Sequence, residues 1–249
     1  MAGVLGFDAL LTSLMDHRVV DVAALSVAGA EPGELRAVLD GQAPTGRLLR
    51  GLGPVLGLHA ADLFVLAGQS VPDDLTPITR NPHWSVGSVV YDTMVMPGEN
   101  RRVLLDAIRA QPLVSREGRG GVDRPYHRYG PGFGAVLLKL THSRNLSWTC
   151  TARALYAVTD GRIYLSPSTI GGVGRGTVEA VPELVVGFAG VLGIPAPDLA
   201  ALGGIRLPDN LPPLHPRAAD VAAVIWQTRR LTTAQLQDIE LVSRHLVGR

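Results

Sequence analysis

One segment of this 249-residue chain is written twice. LLRGLGPVLGLHAADLFVLAGQSVPDDLTP (48–77) and LVVGFAGVLGIPAPDLAALGGIRLPDNLPP (184–213) align without a gap at an offset of 136 residues. Val55 matches Val191, Gly57 matches Gly193, Asp62 matches Asp198 and Gly68 matches Gly204. Pro72 and Asp73 then match Pro208 and Asp209, and Pro77 matches Pro213. Glycine and proline set backbone shape, so their agreement in register implies that both copies turn at the same places.

The match extends in both directions. GFDALLTSLMDHR (6–18) pairs with GFGAVLLKLTHSR (132–144) at an offset of 126, and NPHWSVGSVVYDTM (81–94) loosely parallels HPRAADVAAVIWQT (215–228). RRVLLDAIRAQ (101–111) parallels AQLQDIELVSR (234–244). The pattern predicts a first copy over 1–111, a linker over 112–131 rich in Gly, Arg and Pro, and a second copy over 132–249. The shift from 126 to 136 places about ten extra residues between the first and fourth helices of the second copy.

Each copy reads as helix throughout. Phe7, Leu10, Leu11 and Leu14 carry the first apolar stripe. A second helix fits 20–28, with Gly29 as its stop. EPGELRAVLDG (31–41) puts Pro32 at a first helical position, and Leu35, Val38 and Leu39 face inward. Residues 45–56 form a fourth helix ended by Gly57, and Asp62 sits in the first turn of a fifth, where unpaired N–H groups favour a carboxylate. In the second copy the corresponding helices are 134–141, a helix capped by Ser147 and starting at Trp148, one capped by Ser166 with Pro167 first, 178–192 with Pro182 inside, and 197–202. Two more helices close each copy, over 84–96 with 99–110 and 217–230 with 233–246, the last capped by Thr232. Phe64, Trp148, Trp226, Tyr91 and Trp84 read as packing residues, Trp84 also as an interface anchor, and Arg229 and Arg230 as a solvated face.

No stretch is long and apolar enough for a membrane span, and Asp8 precedes any basic residue, unlike a signal peptide. The single cysteine, Cys150, excludes an internal disulfide framework, suits a reducing cytoplasm and reads as a packed thiol. The seven histidines are scattered without ligand spacing. GGVGRG (171–176) follows no strand and lacks a phosphate-loop lysine. No enzyme, no metal and no cofactor is expected on these grounds. The net charge of +1 is divided unevenly: residues 1–125 carry 11 basic and 14 acidic side chains, residues 126–249 carry 12 and 8. A polyanion would favour the second half.

Five short helices in this order, with a tight turn before the third, resemble the helix-turn-helix domain of the lambda-repressor-like (Cro/C1, XRE) transcriptional regulators. GAEPGELRAVLDG (29–41) and YLSPSTIGGVGRG (164–176) are the thirteen-residue segments that carry the likeness, which covers 6–68 and 132–204. The phrase VLGLHAADLFVLAG is similar to actinobacterial members. The resemblance implies an all-α pseudo-two-fold arrangement of two five-helix units, each with two extra helices, in a cytoplasmic, nucleoid-associated protein that regulates transcription.

In that family the third helix enters the major groove of double-stranded DNA. Carried onto this chain, the resemblance places Ser168, Thr169, Gly171 and Gly172 at the groove, Arg175 beside it, and Arg144, Arg153 and Arg162 at the phosphate backbone. The first copy offers Arg36, Arg47 and Arg50, but Glu31 and Glu34 would face phosphate there, so the second copy is expected to dominate. The alternative reading is a protein-interaction module, or a homodimer, whose degenerate units do not touch DNA. A small-molecule sensor would need a pocket between the copies.

Overall fold

The computed structural model describes residues 6–27, 31–79, 84–114, 129–130 and 132–248. Among them the chain is all-helical, with fourteen α-helices and no strand. The first five are α1 (Phe7–Arg18), α2 (Val22–Val27), α3 (Pro32–Leu39), α4 (Gly46–Leu56) and α5 (Ala60–Leu66). Then come α6 (Ser85–Val95) and α7 (Gly98–Ala110). The second half contributes α8 (Phe133–His142), α9 (Trp148–Val158), α10 (Pro167–Arg175), α11 (Pro182–Leu192), α12 (Ala196–Leu202), α13 (Ala218–Thr228) and α14 (Thr233–Val247). No single helix among the described residues is long and apolar enough to cross a membrane. The proposed stop at Gly29 and most of the 112–131 linker lie outside the described residues.

Local chemistry sets the helix ends. The hydroxyls of Thr45, Ser147 and Ser166 accept from the backbone N–H groups of Leu48, Cys150 and Thr169 at 3.1–3.2 Å. Thr232 and Gln235 form a reciprocal capping box at α14. Most boundaries fall within about two residues of the sequence expectation, and one differs by more. The fourth helix of the second half starts at Pro182, not at 178, because proline lacks the N–H an interior position needs and is suited to the first turn. Asp62 sits in the first turn of α5 as expected, and an arginine holds its carboxylate as well.

The segments matched in sequence also match in shape. Gly57 (φ 57°) and Gly193 (φ 70°) each end a helix in the left-handed region, which a side chain would strain. The bend between α4 and α5 is 119°, and that between α11 and α12 is 118°.

The halves are interlaced. α1 packs on α12 of the second half, and α8 packs on α5 of the first. An ion pair closes each crossing. Arg18 holds Asp198 through Nε (3.0 Å) and Nη2 (2.6 Å), and Arg144 holds Asp62 through Nη1 (2.7 Å) and Nη2 (2.9 Å). Arg18 and Arg144 are partners in the sequence match, as are Asp62 and Asp198. The two bridges differ in burial: both side chains of Arg144–Asp62 are fully enclosed, whereas Arg18 keeps 23% of its side chain in solvent. Helices α6, α7, α13 and α14 form a bundle in which each helix of one half packs on both helices of the other. α9 and α11 in turn pack on this bundle, while α2 packs mainly on α3, so the second half is the more firmly seated.

Phe64 is buried, but Trp84 (54% exposed) and Tyr91 (53%) are not core residues. Arg229 and Arg230 do not form the solvated face the sequence suggested. Arg229 donates to the carbonyls of Ser143 and Leu75 and lies over Trp226, and Arg230 donates to those of Arg109 and Gln111. Backbone carbonyls at loop ends need donors, and the forked guanidinium supplies several at once.

His59 stacks on Trp226, ring centroids 3.3 Å apart and planes 4° from parallel. Desolvation pushes its pKa down to about 4; Arg144 and Arg229 act in the same direction, and Asp62 offsets them in part. The fold therefore holds a neutral imidazole that the unfolded chain would protonate near the ordinary histidine value of 6.5. This contribution is complete above about pH 6.5 and is lost as the pH falls towards 4. His59 is exposed on one side all the same, and solvent screening there limits the contribution to about 1 kcal/mol. Chemical denaturation of wild type and His59→Gln across that window should show the slope in the wild type alone; equal slopes would remove His59 as its source.

Candidate nucleic-acid interface

The α9–turn–α10 segment holds most of the residues assigned to DNA from sequence. The turn over 159–166 reverses the chain with Asp160 (φ 53°) and Gly161 (φ 79°) in left-handed geometry. Ile170 and Val173 anchor α10 in the core and are fully buried. The first turn of α10 faces water. There the Ser166 hydroxyl, besides capping the helix, lies 2.7 Å from that of Ser168 and 2.9 Å from that of Thr169. Ser168 is exposed and Thr169 half-exposed. This hydroxyl cluster can both donate and accept, as phosphate and base-edge contacts require.

A relay braces the helix behind that turn. The Trp148 indole N–H donates to the Tyr129 hydroxyl at 2.7 Å. His142 Nδ1 faces the Leu146 carbonyl at 3.0 Å, which fixes the proton on that nitrogen and leaves Nε2 to accept from Tyr129. The Trp148 ring covers Gly171 so closely that a Cβ there would stand 2.7 Å from ring carbons. The Tyr129 ring does the same at Gly174, at 2.5 Å.

These contacts correct several sequence assignments. Gly171 and Gly172 are buried against Trp148 and Val178, and do not line a groove. The glycines admit neighbouring rings and side chains, not a nucleic-acid backbone. Arg144 is 1% exposed and enclosed by Asp62 and the Leu192 carbonyl, so it does not reach a phosphate. Arg162 donates to the Pro213 carbonyl at 2.6 Å and lies 3.8 Å from Glu183. Arg50 makes two 2.9 Å bonds to Asp74. Arg153 is exposed, but it lies along α6, where its Nη1 would be 3.5 Å from a Cβ placed on Gly87. Glu34 accepts a hydrogen bond from the Thr45 hydroxyl.

Ser168, Thr169 and Arg175 on α10 and Arg36 and Arg47 on the first half remain at the surface, as does Arg153 on the α6 side of α9. The Arg175 guanidinium sits 5.4 Å over the Trp148 ring, a contact that positions it without neutralising it. Arg36 and Arg47 are exposed with no side-chain partner among the described residues. The sequence reading missed the Arg144–Asp62 bridge, although Arg18/Arg144 and Asp62/Asp198 recur at matched positions, which was the available signal. It also missed the Trp148–Tyr129–His142 relay, for which the sequence carried no comparable sign. Comparison with protein-family models, with curated proteins and with solved structures finds no match to this chain.

Proposed function

We propose that the chain is a tandem duplication of lambda-repressor-like helix-turn-helix units that binds double-stranded DNA as an intramolecular pseudo-dimer. The observation that carries this reading is the free first turn of α10, where Ser166, Ser168 and Thr169 project from a helix whose other side is locked into the core. The reciprocal crossings of α1 with α12 and α8 with α5 support the pseudo-dimer, because a pair of identical units exchanging helices has this pattern. In this reading α10 enters the major groove, Ser168 and Thr169 meet base edges or phosphates, and Arg175 neutralises phosphate at the far end of the helix. Arg36 and Arg47 supply the first half's share. The second half leads through its better-seated α10, not through the larger arginine set expected from sequence.

A protein-interaction module is the second reading. The observation favouring it is the surface of α3, where Glu31 and Asp40 are exposed beside Arg36. One experiment separates the two. Duplex binding by Arg175→Ala, Arg36→Ala and Thr169→Ala is measured by fluorescence anisotropy at one fixed salt concentration. Arg175→Ala should weaken binding to every duplex and lower the magnitude of the salt slope by about 1. Thr169→Ala should alter the ranking among sequences. A larger loss from Arg36→Ala than from Arg175→Ala would reverse the assignment of the leading half. No loss from either would favour the protein-interaction reading.

A further inference from the structure

We infer that the groove between α6 and α9 is a binding site for a small organic anion with an aromatic or comparably flat apolar body. This inference stands apart from the DNA-binding reading. The groove encloses about 750 Å³, within the range that holds a small ligand, and it joins the two halves of the chain.

Three of the chain's five tyrosines line it, and all three are unusually open. Tyr91 is 53% exposed, Tyr156 48% and Tyr164 84%. Tyr156 and Tyr164 meet edge to face at 5.9 Å, which leaves ring faces available to a flat guest. The absence of a Cβ at Gly161 admits the Tyr156 ring, whose nearest atoms would lie 3.2 Å from it. Gly87 makes the matching space for Arg153.

Four charged side chains line the groove, and three are committed. Asp92 accepts from the Ser243 hydroxyl at 2.7 Å, Asp160 lies 3.6 Å from His215, and Arg244 donates to the Glu240 carboxylate. Arg153 alone of the four has no hydrogen-bonding or ionic partner among the described residues. A cation without a partner at the edge of an aromatic-walled groove selects a carboxylate or sulfonate carried on an apolar body.

The test is calorimetric titration of the full chain with indole-3-acetate and, separately, with uncharged indole-3-acetamide. The acetate should bind about tenfold more tightly than the amide, because a guanidinium bond to an anion outweighs one to a neutral oxygen. Arg153→Gln should bring the acetate to the amide's affinity and leave the amide unchanged. Tyr156→Ala should weaken both probes, by about threefold or more. Arg102→Gln, which removes an exposed arginine on α7, should change neither. Thermal unfolding of Arg153→Gln should match wild type, since the side chain has no partner to lose. Absence of saturable binding by either probe overturns the inference. So do equal affinities for the two probes, and so does an acetate affinity unmoved by Arg153→Gln.

Discussion

Replacing Arg144 with methionine should lower the unfolding free energy by about 3–5 kcal/mol, because it strands the Asp62 carboxylate in full burial. For a chain of this length that is a fall in Tm of about 10 °C. Asp62→Leu should cost a similar amount by stranding the guanidinium. The double variant Arg144→Met with Asp62→Leu should recover much of the loss, since no charge then remains enclosed. The matched bridge supplies the internal comparison. Arg18 is partly open to water, so Arg18→Met should cost about 1 kcal/mol. Urea denaturation of the four variants reads all of this. A loss under about 1 kcal/mol for Arg144→Met would mean that the crossing of α8 with α5 is not closed as described.

The second large effect is expected at Gly134, near the start of α8. A Cβ there would overlap the carbonyl oxygen of Val173 on α10 and stand 3.1 Å from its carbon. Backbone cannot swing aside as a flexible side chain does, so the two helices must separate. Gly134→Ala should therefore cost about 1–3 kcal/mol, and Gly134→Val more. Gly33 is the control, since nothing lies within 4 Å of its Cβ position and its φ is not positive. Gly33→Ala should be neutral or should stabilise by up to about 1 kcal/mol. Equal stabilities for the two alanine variants would contradict the close approach of α8 and α10. If α10 meets DNA, Gly134→Ala should also weaken duplex binding.

The helices were legible in the sequence because their signals are local. Ser147, Ser166 and Thr232 cap from their own hydroxyls, and Gly57 and Gly193 end helices by their own conformation. The fate of each arginine was not legible, because it depends on residues far along the chain. Arg144 and Asp62 are 82 positions apart, and no feature near Arg144 distinguishes a buried guanidinium from one facing solvent. The same holds for Gly171 and Gly172, which read as an open approach until Trp148 and Val178 are seen to fill the space. The groove between α6 and α9 escaped for a related reason: Tyr91 belongs to one half, and Arg153, Tyr156 and Tyr164 belong to the other.

If the chain binds duplex DNA as proposed, Arg36, Arg47 and Arg175 are the arginines that meet phosphate. The most direct test is the salt dependence of wild-type binding to a random-sequence duplex. Counterion release gives a slope of log K against log salt of about −0.9 for each phosphate neutralised. Contacts from Arg36, Arg47 and Arg175 therefore predict a slope of about −3. No detectable binding at low salt, or binding that does not weaken as salt rises, would contradict the account.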